Sequence, residues 1–159
     1  MRAVVQRVLR ADLSVDGKLI SNIDKGIVVF WGVGEGDQEI DVIKLVNKIS
    51  KLRIFEDENG KTNISLKDVS GQILLVSQFT LFADCRHGNR PSFINAEKPE
   101  RANELYIKAK ELFAKENISV QTGIFGADMK INVLNDGPVT IILDSKDLKY
   151  YEKEINKLL

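Results

Sequence analysis

Apolar residues recur along this chain at two spacings, every second residue and every third or fourth, and the changes between them mark its elements. Met1 to Leu9, with Val4, Val5 and Val8, predicts a strand. Ala11 to Val15 alternates and meets Asp16-Gly17, a strong hairpin signal, after which Lys18 to Ile23 returns. Gly26 to Val33 is nearly continuously apolar and predicts a central strand buried on both faces. Asp37 is placed to cap a helix from about Gln38 to Leu52, whose apolar face carries Ile43, Leu45, Val46, Ile49 and Leu52. Arg53 to Phe55 reads as a short strand, Glu56 to Gly60 as a polar loop with an Asn-Gly turn, and Thr62 to Gly71 as irregular. Gln72 to Phe79 is the clearest buried strand of the second half.

Leu81 to Glu97 is punctuated by Gly and Pro and predicts a loop. Lys98 to Glu116 predicts a long amphipathic helix with Pro99 in its first turn and a stripe of Ala102, Leu105, Ala109, Leu112 and Phe113. Ile118 to Thr122 reads as a strand and Gly123 to Lys130 as a connection. Two further apolar runs, Ile131 to Leu134 and Val139 to Leu143, flank Asn135-Asp136-Gly137-Pro138, which by local chemistry is a turn joining two strands. Pro138 cannot donate to a ladder, so it belongs at the start of a strand or on an edge. Lys146 to Leu159 predicts a terminal helix with Leu148, Tyr151, Ile155 and Leu158 facing inward.

With 159 residues, no internal repeat and no linker, the chain reads as one domain, 1–159, with enough length for a real core. At 43% hydrophobic and 29% charged residues it is expected to be a soluble globular protein rather than a disordered one. No apolar run approaches the roughly 20 residues that cross a bilayer, so no membrane partner is expected. Twenty-three basic residues balance twenty-three acidic ones, which argues against a broad charge-driven nucleic-acid surface but leaves room for a grip on one RNA end. The single cysteine excludes an internal disulfide framework and fits a reducing, cytoplasmic setting. With one cysteine and one histidine no zinc cluster of the usual kind can be built, and neither a metal nor another cofactor is expected.

The candidate chemistry is sparse. Gly32-Val33-Gly34-Glu35-Gly36-Asp37 lacks the spacing of a dinucleotide loop, and no P-loop lysine follows. Cys85 and His87, two residues apart, could form a nucleophilic pair, with no third member to orient it. Arg86, His87 and Arg90 could instead hold one or two phosphates, or the loop could be simply solvated. Ser77 and Thr80 stand at the end of a buried strand without a base, so they suit orienting a substrate or holding an oxyanion better than attacking one.

Ser77-Gln78-Phe79-Thr80-Leu81 and Asn135-Asp136-Gly137-Pro138-Val139-Thr140 together resemble the two signature motifs of the D-aminoacyl-tRNA deacylases, also called the D-tyrosyl-tRNA deacylase family. Met1-Arg2-Ala3-Val4-Val5-Gln6-Arg7-Val8 is similar to that family's opening strand, and Gly88-Asn89-Arg90-Pro91-Ser92-Phe93 and the chain length fit as well. The resemblance runs essentially end to end.

It implies an α/β fold, a single compact domain with a barrel-like β core and flanking helices, assembled as a homodimer. It implies hydrolysis of the ester joining a D-amino acid to the 3′-terminal adenosine of tRNA, with the aminoacyl-tRNA 3′ end as partner. The catalytic segment would be Ser77, Gln78, Phe79 and Thr80. Gly137 and Pro138, joined by a cis peptide and inserted into the partner's active site, would select the substrate, with Arg7 bracing them. Ala102, Phe125 and Met129 carry over as walls for the adenosine or the substrate. An aminoacyl ester is already activated, so positioning matters more than a strong nucleophile. Backbone N–H groups near Phe79 and Thr80 would hold the oxyanion, and the ribose 2′-hydroxyl would help orient or activate water. With the α-amino group fixed by the Gly137 and Pro138 carbonyls, a D side chain points outward and an L side chain collides. Glycine has nothing to exclude, so glycyl-tRNA should be cleaved as well. Two other classes compete: a non-catalytic RNA-end binding module using the Arg86–Arg90 loop, and a thiol hydrolase built on Cys85 and His87.

Overall fold

One long strand, β1 (Arg2–Val15), takes partners on both sides along its length. The computed structural model describes residues 1–149. On one side of β1 its first half pairs with β3 (Gly26–Gly32) and its second half with β2 (Lys18–Ile23), both antiparallel. On the other side lies β8 (Met129–Asp144), antiparallel over the whole length. β3 continues the sheet through parallel pairing to β6 (Gln72–Ser77), and β6 to β7 (Ser119–Thr122). The ends of this order, β2 and β7, approach each other, and the Ser21 hydroxyl donates to the Thr122 carbonyl at 2.5 Å. The result is a single compact α/β unit with a nearly closed, barrel-like sheet.

The sheet's two faces make two apolar clusters. Val8, Ala11, Leu13, Val28, Leu74 and Val76 fill the barrel interior. Met1, Ala3, Val5, Val29, Trp31 and Leu75 face outward, under α1 (Glu39–Ser50) and α2 (Pro99–Lys115). Each helix sits between consecutive parallel strands, as a parallel crossover requires. Trp31 meets Phe113 of α2 edge to face, with ring centroids 6.3 Å apart. A two-stranded ribbon, β4 (Phe55–Glu56) and β5 (Thr62–Ile64), forms a separate sheet whose Phe55 is buried in the outer apolar cluster.

Several boundaries depart from the sequence reading, each for a physical reason. Met1–Leu9 and Ala11–Val15 are one strand: Leu9 is an extra residue in the pairing with β8, and it shifts the inward alternation from even to odd positions. Thr62–Ile64 is a strand rather than irregular chain because it pairs with Phe55 and Glu56, and the short strand expected at Arg53 begins only at Phe55. The strand expected to reach Phe79 ends at Ser77, and the chain then makes a 3-10 turn from Phe79 to Phe82. Ser145 to Asp147 forms another such turn, and most of the expected terminal helix, with Tyr151, Ile155 and Leu158, lies outside the described residues.

Asp37 does not cap α1. Gln38 takes that place, its N–H donating to the Asp41 carboxylate at 2.9 Å. Asp37 is buried instead, where one carboxylate oxygen accepts from the Gly34 N–H and the Met1 α-ammonium, each at 2.7 Å. The ammonium also donates to the Ser145 hydroxyl at 2.9 Å. Asp37→Ala strands a fully buried cation, so it is expected to cost about 3 kcal/mol of unfolding free energy in denaturant titration.

Candidate functional site

The carboxyl ends of β3 and β6 lie side by side, and parallel strands characteristically leave a crevice there. Gln78 extends the pairing by one bond, its N–H donating to the Trp31 carbonyl at 2.8 Å, before the chain turns away. Beyond this edge opens a cleft of about 670 Å³. Ser77, Gln78 and Phe79 form one wall, Pro99, Ala102 and Tyr106 of α2 another, and Phe125 and Met129 a third. The structure thus brings together Ser77, Gln78, Phe79, Ala102, Phe125 and Met129 from three separate stretches of sequence. Thr80 is the next residue along the turn; it is exposed, and its hydroxyl accepts from the Gln78 side-chain amide at 2.5 Å.

The turn presents backbone as well as side chains. Its first hydrogen bond runs from the Leu81 N–H to the Gln78 carbonyl at 3.3 Å, and the next recorded one from Ala83 to Thr80 at 3.0 Å. The N–H groups of Phe79 and Thr80 therefore stand at the open end of the turn, where no carbonyl of the turn itself can accept from them. Such a pair of donors suits an oxyanion. Phe79 is 55% exposed and packs edge to face on Phe93, 5.0 Å between ring centroids, making an aromatic rim.

Two titratable groups at the cleft, Tyr106 and Glu97, are committed elsewhere. The Tyr106 hydroxyl donates to the Leu75 carbonyl at 2.7 Å, and burial pushes its pKa well above the ordinary tyrosine value. The Glu97 carboxylate accepts from the Lys98 N–H at 2.8 Å and the Gly36 N–H at 3.1 Å, which hold its pKa below the usual carboxylate range. Neither is poised to take a proton from water near pH 7. Trp31 contributes a buried indole N–H without an acceptor among the described residues.

Arg7, Gly137 and Pro138 are not among the residues lining this cleft. The expected hairpin turn at Asn135–Pro138 is a wide bulge inside β8. Val8 pairs with Asn135 and Gln6 with Thr140, so Arg7 alone faces the four residues Asp136 to Val139. The Gly137–Pro138 peptide is cis, and both residues are exposed. Behind them Arg7 is only 7% exposed; its Nε donates to the Asp136 carbonyl at 3.0 Å and its Nη1 to the Ile54 carbonyl at 2.7 Å. The Asn135 amide holds the other limb, accepting from the Val139 N–H at 2.8 Å and donating to the Thr140 hydroxyl at 3.1 Å. An exposed backbone loop is thus held by the buried Arg7 and the half-buried Asn135.

Cys85 and His87 are exposed and line no part of the cleft. Arg86 is not free for phosphate: its Nε and Nη2 donate to the Asp84 carboxylate at 2.9 and 2.6 Å. That fork holds the Asp84 pKa at about 2. Among the described residues no group of three or more His, Cys, Asp or Glu could hold a metal ion. Sequence reasoning missed Trp31 and Tyr106, and it gave Asn135 no role beyond its place in the second motif. A Tyr at helical spacing between Ala102 and Ala109, and the Trp ending the most apolar run, were the available signals.

The sequence model of one protein family, D-Tyr-tRNA(Tyr) deacylase, matches residues 4–144. A curated relative named D-aminoacyl-tRNA deacylase, from Thermosipho melanesiensis, is 57% identical over 147 residues, covering 92% of this chain and 98% of its own. One of the same name from Aquifex aeolicus is 53% identical over 148 residues, covering 93% and 100%. The solved structure of a c-Myc DNA unwinding element binding protein superposes with a TM-score of 0.85 at 42% identity, covering 91% of this chain and 98% of that one. A probable eukaryotic D-amino acid tRNA deacylase, at 17% identity and a TM-score of 0.75 over 90% of this chain and 98% of that one, shares the fold.

Proposed function

The chain belongs to the D-Tyr-tRNA(Tyr) deacylase family, and on that premise we propose that its cleft hydrolyses the ester of D-aminoacyl-tRNA, sparing L-aminoacyl esters by a backbone selector. As a family member it is a hydrolase acting on aminoacyl-tRNA. The observation that carries the mechanism is the cleft's make-up: an open turn with two available N–H groups, aromatic and apolar walls, and no thiol or imidazole. Such a site stabilises charge and positions reactants. The 3′-terminal adenosine lies against Phe79, Phe125 and Met129. The ester carbonyl faces the Phe79 and Thr80 N–H groups, which take up negative charge as water adds. The leaving group is the ribose hydroxyl, and its neighbouring 2′-hydroxyl orients the water.

The selector comes from a second copy of the chain. Gly137 and Pro138 are exposed, stiffly held and absent from their own chain's cleft, so they act on a partner's. β8 supports this: it is a 16-residue strand that among the described residues pairs only with β1, and it exposes Leu134 and Ile142, the latter at 75%. A long, partly apolar edge of this kind calls for a cover. The selecting carbonyls hold the substrate's α-amino group, leaving one direction for the side chain. Glycyl-tRNA passes because it has no side chain to exclude. The protein works in the cytoplasm, where aminoacyl-tRNA is found; among the described residues no helix is long and apolar enough to cross a membrane.

The test is release of free D-tyrosine from D-tyrosyl-tRNA by the purified protein. Turnover supports the hydrolase; retention of the intact ester on the protein supports an RNA-end binding module instead. Thr80→Ala is expected to keep most of the rate, because the hydroxyl is held by Gln78 and the charge is met by backbone. A loss of several orders of magnitude would make Thr80 the nucleophile. Cys85→Ala and His87→Ala are expected to leave single-turnover rates unchanged, and inactivation of either variant, or of the native protein by a thiol-blocking reagent, would restore the thiol-hydrolase reading.

A further inference from the structure

Arg2 stands at the start of β1 and reaches three different parts of the chain. Its Nε donates to the Asp144 carboxylate at 3.1 Å, at the far end of β8. Its Nη1 donates to the Leu81 carbonyl at 3.0 Å, in the Phe79–Phe82 turn. Its guanidinium also lies 4.7 Å from the centroid of the Phe82 ring. Phe82 is the buried foot of that turn, and its ring occupies space left by two glycines beyond β3 and at its end. A Cβ on Gly34 would stand 2.4 Å from the ring, and one on Gly32 would stand 2.9 Å from the Gln78 carbonyl oxygen and 3.0 Å from the Leu81 Cβ. The turn is therefore pressed flat against the strand end from below and gripped by a single side chain from the side.

We propose that Arg2 is a positioning residue for deacylation, fixing the Phe79–Phe82 turn so that the N–H groups of Phe79 and Thr80 keep their aim into the cleft. This rests on the deacylase reading above. The geometry favours arginine specifically. One planar fork meets a carboxylate and a carbonyl while its face lies over an aromatic ring, a combination that the point charge of lysine cannot reproduce. Arg2 is not among the residues lining the cleft, so it acts through the turn. Donors displaced by a fraction of an ångström lose strength mainly toward the transition-state oxyanion, where charge is greatest.

The test uses the full-length chain carrying Arg2→Met or Arg2→Lys, read two ways. Hydrolysis of D-tyrosyl-tRNA is expected to show kcat about 10- to 100-fold lower for Arg2→Met, less than the roughly 100- to 1,000-fold cost of removing an oxyanion donor outright, with KM within about twofold. Arg2→Lys should recover only part of the loss. Backbone amide exchange at Leu81 to Ala83 should become faster in Arg2→Met while exchange in β3 and β6 stays unchanged. Unchanged kcat with unchanged exchange, or a loss confined to KM, overturns the role of Arg2 while the deacylase reading stands. Absence of hydrolysis by the unsubstituted protein overturns the deacylase reading, and the reaction role of Arg2 with it.

Discussion

Gly137→Ala is expected to lower hydrolysis of D-tyrosyl-tRNA by about a hundredfold or more, which is roughly 2.7 kcal/mol of transition-state stabilisation. Gly137 has φ +134°, a conformation that side-chain-bearing L residues rarely adopt. An added Cβ would stand 2.8 Å from Val139 Cγ2, 3.1 Å from the Val139 nitrogen and 3.2 Å from Arg7 Nη2. Strain and crowding both push the bulge out of shape, and under the proposed mechanism its carbonyls then lose their hold on the substrate's amino group. The backbone strain costs about 1–3 kcal/mol, which a domain of ordinary stability survives. Circular dichroism and sedimentation should therefore match those of the native protein while activity falls. Full activity would remove Gly137 from the selecting role.

Arg7→Met is expected to be the most damaging single change to the bulge's support. Methionine keeps much of the apolar stem but leaves the Ile54 and Asp136 carbonyls without the guanidinium donors they now have. Two charge-assisted bonds from a buried arginine correspond to about 3–6 kcal/mol in all. For a chain of this size that lowers Tm by roughly 6–24 °C. Activity should fall further than stability explains, because the unsupported loop carries the selecting residues. Arg7→Lys should rescue little, since an ammonium cannot bridge both carbonyls in the same way. A Tm within a degree of the native value, with activity intact, would show that Asn135 alone suffices to hold the bulge.

Both changes concern a region whose conformation could be misread from local chemistry. Asn-Asp-Gly-Pro carries the same preferences whether the chain reverses or merely bulges, and what decides is the partner strand. Here β1 runs on past Arg7 without turning, so β8 runs on too. The same holds for Leu9: the break in alternation looked like a strand end, and it is an extra residue in a continuous ladder. Elements defined by their own periodicity were legible, including the Gly26–Gly32 and Gln72–Ser77 strands and the Pro99–Lys115 helix. So was the Asp16-Gly17 hairpin, whose two residues both take positive φ.

Of the candidate site, the Ser77–Phe79 wall coincides with the first motif, while the second motif lies outside the cleft and the remaining walls could not be read from spacing. Nothing in the order of residues says that Ala102 and Met129 border the same cleft as Ser77; the parallel pairing of β3, β6 and β7 does that. Arg7 shows the limit from the other side. By pattern alone an arginine in a strand is expected to be exposed, and only the gap left by the four-residue bulge gives a buried guanidinium its acceptors. Asp37 was assigned a cap for similar reasons, and the buried Met1 ammonium outcompeted the helix for it.

The most direct measurement is the set of initial rates for D-tyrosyl, L-tyrosyl and glycyl esters on matched tRNA. The account predicts fast release from the D and glycyl esters with the L ester left intact. Equal rates for the D and L esters would contradict the backbone selector, whatever the rate on glycine.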